Sequence, residues 1–276
     1  MSAPRKTAGY GWIPQMPDHR DRYFGLEEPI LTPMQVPSTG GLAPDELPPI
    51  WNQGQLGACT AHGSLRAFLA EAMRQGLSLP MLSRLQQYYD TRSIEGTTST
   101  DSGGTIRDAI KALATYGCAP ESEWPYDVSR FADPPPASVM SDARQHMAIS
   151  YQQIVVGGPG APMRTALSRK LVIVKGFPVP DYFEDGSWDP ASGEPLPLPG
   201  PNTQFIGGHC TATTFYDFSG TFISTPSTNR RVRPYFTDDN SWDTTWGMAG
   251  RFNIDAEWFS PGRGLASDLW VIQQDE

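Results

Sequence analysis

The chain has 276 residues, 38% hydrophobic and 18% charged, enough apolar material to bury one substantial core or two adjoining ones. A formal charge of −9 and a pI near 4.9 argue against a general nucleic-acid or anionic-membrane binder, since both need clustered Lys and Arg. With 27 glycines and 27 prolines, many turns and long connections are expected rather than a helical bundle.

In chain order, the opening stretch "MSAPRKTAGYGWIPQMPDHRDRYF" has no apolar core of signal-peptide type, and no run approaches a membrane span. The expectation is a cytoplasmic protein, or one exported by a route that uses no signal peptide. Residues 1–47 include "EEPILTPMQVPSTGGLAPDELPP", carry no steady period, and read as a tail or strap rather than a domain. From Asn52 to about Tyr126 the pattern is helical. Leu65, Phe68, Leu69, Ala72 and Met73 recur at offsets of three and four before Gly76, and "TIRDAIKALATY" forms a second helix closed by Gly117.

After the "DPPPAS" break at 133–138 the signal turns strand-like, in "YQQIVV", "KLVIVKGF", "HCTATTFYDF", "RFNI" and "LWVI". "SGTFISTPSTNRRVRP" reads as a long loop. The order predicts an α+β fold: a strap over 1–47, a mainly helical part over 48–138 and a β-rich part over 139–276.

Three cysteines, Cys59, Cys118 and Cys210, cannot all pair within one chain, which favours a reducing compartment. Cys59 lies in "NQGQLGACTAHGS", between a glycine-rich turn and the start of a helix. The free N–H groups and positive dipole end of a first helical turn lower a thiol pKa and favour the nucleophilic thiolate. Such a nucleophile also needs a base, a group to orient the base, and donors for an oxyanion. His209 after "IGG", Asn240 in "DDNSWDTTWG" and Gln53, six residues before Cys59, are the candidates.

Four separated motifs in this order, "QGQLGAC", "SGGTIRDAIKAL", "GGHCT" and "NSWDTTWG", resemble the papain-like cysteine peptidases from about residue 48 to the end. The histidine lies 150 residues after the cysteine, within the spacing of that group, and the asparagine 181 residues after it, somewhat beyond. The resemblance implies a two-lobe fold, with a helical lobe and a β-barrel-like lobe flanking a cleft, and it implies hydrolysis of peptide bonds. By the same resemblance Cys59 attacks the carbonyl through a thioester acyl-enzyme, and His209 accepts the thiol proton and returns it to the leaving amine. Asn240 holds the imidazole, Gln53 and the Cys59 N–H stabilise the oxyanion, and Trp242 shields the Asn–His bond. Gly103 and Gly104 offer backbone to an extended substrate and Gly57 lines the cleft floor, so Gly57, Gly103, Gly104 and Trp242 form the substrate-binding set. It implies peptide or protein substrates with an apolar residue second before the cut, no metal and no cofactor.

Several positions depart from the family pattern. Leu56 and Asp101 stand where many relatives place a bridged cysteine pair, Thr60 where tryptophan is usual, and Asp243 where glycine is usual. The short tail has no counterpart to the long helical inhibitory propeptide of secreted members, and residues 1–47 are expected to lie across or beside the cleft and inhibit it. The same nucleophile could serve an acyl transferase, and a blocked cleft would leave a binding module. Cys118 and Cys210 are expected to pack in the core. His62, three residues after Cys59, is expected to pack or hydrogen-bond rather than bind metal, since no second pair stands at zinc-like spacing. The adjacent acids Glu27 with Glu28 and Asp238 with Asp239 read as solvated turns.

Overall fold

A computed structural model describes residues 9–26, 29–32, 34–147, 150–155, 160–220, 222–225, 228–231, 233–260 and 265–273. Residues 1–8 of the tail and the Glu27–Glu28 pair lie outside them. In chain order the elements are β1 (Thr39–Gly41), α1 (Cys59–Arg74), α2 (Arg84–Glu95), α3 (Ile106–Tyr116), α4 (Ala137–Ala143), β2 (Ser150–Ile154) and α5 (Ala161–Ser168). They continue with β3 (Ile173–Pro180), β4 (Phe205–Asp217), β5 (Phe222–Thr225), β6 (Thr228–Arg231), β7 (Tyr235–Asp239), β8 (Arg251–Asp255) and β9 (Ser267–Gln273). The fold is α+β. Among the described residues the main sheet is antiparallel, in the order β2-β9-β3-β4-β7-β8, with β1 added to the far end of β4.

The helix expected around Leu65 to Met73 is α1, and it starts at the cysteine itself. Every residue from Cys59 to Ala72 is buried, as expected of a helix packed on all sides. Its Leu65, Phe68 and Leu69 share a core with Ile106, Ile110 and Leu113 of α3 and with Val174, Cys210 and Trp270 of the sheet. A second core on the sheet's other face holds Phe177, Phe236, Phe252 and Trp258. α3 spans the segment expected, capped by Thr105, whose hydroxyl accepts from the Asp108 N–H, and ended by Gly117.

The strand-like segments become β2, β3, β4, β8 and β9. The segment expected as a long loop carries the β5–β6 hairpin instead, pairing Phe222 with Arg231 and Thr225 with Thr228. Periodicity does not reveal α2, because its inward face is polar: Gln86, Gln87, Asp90, Thr91 and Arg92 are all buried. Their partners lie on other segments, as in Gln87 Nε2 donating to Ala109 O of α3 at 2.6 Å and Arg92 Nη1 to Thr98 O, beyond the end of α2, at 2.7 Å.

Asp238 and Asp239 are not solvated. Neighbours on a strand face opposite ways, so each acid meets its own partners. Asp238 accepts from Lys175 Nζ at 2.5 Å and from the Thr211 and Thr213 hydroxyls. Asp239 accepts from Arg66 Nε of α1 at 2.7 Å and from Arg251 Nε at 2.7 Å. Arg66 also donates to the carbonyls of Pro48 and Pro49 at 2.6 and 2.8 Å. One side-chain cluster thus ties the cysteine-bearing helix, β7 and the chain entering the helix.

The N-terminal segment runs over all of this. Residues 10–13 cross the end of β4, Arg22 O and the Phe24 N–H pair with Gln153 on the edge strand β2, and β1 joins β4. Phe24, Val36, Leu42 and Leu47 are buried in the cores, so most of the segment is integral to the fold.

Replacing Asp239 by Ala leaves the buried Arg66 guanidinium without its counter-ion and should cost about 3–5 kcal/mol in urea unfolding. Asp133→Asn, which breaks the exposed Arg130 pair, should cost no more than about 1 kcal/mol.

Candidate active site

Cys59 opens α1, where the N-cap residue Ala58 supplies no side-chain cap, so the first-turn N–H groups are left to other partners. His209 lies on β4, whose alternation turns Cys210 the other way, against the backbone of Gly63 on α1. Asn240 follows the last residue of β7 and is fixed by its own N–H, which donates to Gly250 O at 2.8 Å.

The histidine and asparagine meet: His209 Nε2 lies 2.8 Å from Asn240 Oδ1. The same Oδ1 accepts the Ser241 N–H at 2.8 Å. That backbone group can only donate, so the Asn240 atom is an acceptor and Nε2 must carry a proton. The other ring nitrogen, Nδ1, is then the basic one. Trp242, 3% exposed, lies over the imidazole with centroids 5.0 Å apart and planes tilted by 30°, and shields the pair from water.

Gln53 is buried and held from both ends. Its N–H donates to Ser241 O at 2.9 Å, and its Oε1 accepts from the Ser241 hydroxyl at 2.5 Å, leaving Nε2 to donate. Sequence reasoning missed Ser241. It organises both Gln53 and Asn240, and only its place next to the asparagine hints at that.

The absent cysteine bridge has a polar counterpart. Asp101 accepts the Gly57 N–H at 3.0 Å and the Tyr88 hydroxyl at 2.5 Å, while that hydroxyl accepts the Gly103 N–H at 3.0 Å. Burial, reinforced by Asp101, pushes the Tyr88 phenol well up, so it remains a donor. Gly57 and Gly103 are thereby joined without sulfur. Asp243, where glycine is usual, has φ +71°, and its carboxylate accepts the Thr245 N–H at 3.1 Å, one way an aspartate settles in the left-handed region.

Residues 9–13 occupy the groove among these groups. Gln53 Nε2 donates to Gly9 O at 2.9 Å, Gly104 N–H to Gly11 O at 2.8 Å, Ile13 N–H to Gly104 O at 3.1 Å and Trp12 N–H to Gly208 O at 3.0 Å. Trp12 and Gly104 form a parallel bridge. The fit is backbone on backbone: a Cβ on Gly11 would lie 1.8 Å from Gly57 O, and one on Gly103, whose φ is +74°, 2.1 Å from Gly11 O. The Tyr10 ring meets the edge of His209 at 5.7 Å, and its hydroxyl donates to Glu184.

With this segment seated, Cys59 is fully buried. The lowered thiol pKa expected of a helix start is not what results, because burial pushes the thiol up to about 11. Backbone N–H groups of Cys210, Gly11 and Thr60 pull the other way without offsetting it. His62 is buried between Trp51 and Tyr126 with Nδ1 2.9 Å from Ala58 O, and burial pushes it down to about 3, so it is neutral. Cys118 and Cys210 are buried and, like Cys59, unbridged.

Asp101→Ala should lower the unfolding free energy by about 1–3 kcal/mol, since it orphans the Gly57 N–H and the Tyr88 hydroxyl together; denaturant titration checks it.

No family model matches the chain. An uncharacterized peptidase C1-like protein of Acanthamoeba polyphaga mimivirus is 28% identical over 297 residues, spanning 99% of this chain and 89% of the relative. Among solved structures, xylellain, a cysteine protease from Xylella fastidiosa, aligns over the whole of both chains with a TM-score of 0.81 and 28% identity. A digestive procathepsin L2 proteinase of Tenebrio molitor aligns over 97% of this chain and 79% of its own, with a TM-score of 0.69 at 19% identity, a likeness of fold.

Proposed function

We propose that the chain, similar as it is to papain-like cysteine peptidases, cleaves peptide bonds through a thioester on Cys59, under the control of its own N-terminal segment. The observation that carries the chemistry is the 2.8 Å contact of His209 Nε2 with Asn240 Oδ1 under Trp242, which leaves Nδ1 as the base.

His209 takes the Cys59 proton, the thiolate adds to the substrate carbonyl, and the C–N bond breaks as the imidazolium protonates the leaving amine. Water, deprotonated by the same imidazole, then attacks the thioester and releases the acid and the thiol. Gln53 Nε2 and the Cys59 N–H stabilise the oxyanion in both halves, a contribution of about 3–4 kcal/mol per donor in acyl transfer. Gly57, Gly103 and Gly104 hold the substrate backbone.

Inhibition by residues 9–13 is supported by what they occupy. The Gly9 carbonyl takes the Gln53 donor, Gly11 takes the Gly104 N–H, and the burial they complete keeps the thiol neutral. No oxyanion can use a donor already committed to Gly9.

The experiment is intact-mass labelling with an epoxide that alkylates activated thiols. It compares the full chain, Cys59→Ala, full-length Gly11→Val, and a chain starting at Pro17 that keeps the core residues Phe24 to Leu47. Gly11→Val ejects the strap without deletion, because its Cβ collides with Gly57 O. The full chain should label slowly at pH 7 and about tenfold faster per pH unit on the approach to 11, since thiolate is scarce below the thiol pKa. Both opened forms should label rapidly at neutral pH and gain one adduct. Failure of every form to label would refute the mechanism, and equal rates for closed and opened chains would refute the inhibition. In the opened chain, Gln53→Ala should lower kcat by about a hundredfold to a thousandfold on a fluorogenic peptide.

A further inference from the structure

The Trp12 side chain fills a slot beside the cleft, flat enough that a Cβ on Gly176 of β3 would lie 1.9 Å from the indole ring. On the same face of the sheet Gly208 of β4 lies under the other edge of the ring, and its carbonyl accepts the Trp12 N–H. The slot ends on Asp268. Trp12 Nε1 donates to Asp268 Oδ2 at 3.0 Å, and the Gln15 N–H donates to the same oxygen at 2.9 Å. Asp268 is 8% exposed and has φ +54°, at an irregularity where the β3–β9 pairing slips between Val174 and Gly176. That slip turns the carboxylate toward the slot.

Both donors from the N-terminal segment leave with it when the cleft opens. The Ser267 hydroxyl remains, and Arg107 acts on Asp268 only through its charge at longer range. A sheltered carboxylate that has lost two donors favours any ligand that brings one back, and most of all a planar cation. We propose that Asp268 selects substrates whose side chain in this slot ends in an N–H donor, arginine first and tryptophan after it, over apolar side chains of similar size. The inference rests on the peptidase reading of the cleft. It names the position too: Gly11 packs against Gly57, two residues before Cys59, and Trp12 is the next residue along Gly104, so the slot serves the second residue before the scissile bond. An apolar residue there is what the family resemblance implies, and Asp268 reverses that preference.

The test reads binding, so that it stands apart from turnover. Full-length Cys59→Ala/Trp12→Ala, with the slot emptied and the thiol removed, is titrated with four peptides that differ only in Arg, Trp, Leu or Phe at that residue. Full-length Cys59→Ala/Gly11→Val opens the cleft independently, should the first variant fold poorly. Arg and Trp peptides should bind about tenfold to a hundredfold more tightly than Leu and Phe peptides. Adding Asp268→Asn, which keeps a residue tolerant of the left-handed conformation, should shrink the Arg advantage to within about threefold. Equal affinities, no binding by any peptide, or an Arg preference untouched by Asp268→Asn would overturn the proposal. Absence of cleavage by the opened Cys59-bearing chain would instead overturn the peptidase mechanism and leave the binding result standing.

Discussion

The buried pairing of Arg66 with Asp239 is the contact on which the rest of the site depends. Arg66 is on the helix that begins at Cys59, and Asp239 immediately precedes Asn240. A guanidinium and a carboxylate taken out of water are costly unless nearly every donor and acceptor finds a partner, and here Arg251, Pro48 and Pro49 complete the set. Few other arrangements of helix and strand would satisfy that cluster. The cysteine helix and the asparagine strand are therefore held at one spacing although they come from distant parts of the chain.

Around that anchor, polar groups and glycines set the cleft. Ser241 orients Gln53 and fixes the acceptor atom of Asn240, while Asp101 and Tyr88 link Gly57 to Gly103 through hydrogen bonds. A hydrogen-bonded link of this kind is independent of redox conditions. It also leaves both glycines open to backbone contact, and the N-terminal segment exploits this through Gly9 and Gly11.

The closed cleft accounts for a conflict between local and global electrostatics. A cysteine at a helix start should ionise readily, yet burial raises this thiol. The helix N-terminus acts over a few ångströms, but exclusion of water removes the larger stabilisation that a thiolate receives from solvent. Opening the groove would return that solvent and let the helix terminus and His209 act on the sulfur.

Much was legible in the sequence because it was written in local signals. Apolar spacing marked α1 and α3, alternation marked β2, β3, β4, β8 and β9, and the four motifs pointed to Cys59, His209, Asn240 and Gln53. The α2 helix stayed hidden because its buried face is glutamine, aspartate, threonine and arginine, residues whose partners lie on other segments. Asp238 and Asp239 read as solvated for the same reason: a carboxylate's fate depends on cations that only tertiary structure brings near. Local pattern determined the elements and the identity of the reactive residues. Which polar groups are buried, what keeps the thiol neutral and what faces Asp268 were decided by contacts between residues 44 to 256 positions apart, whose energies depend on desolvation and proximity and leave no periodic trace along the chain.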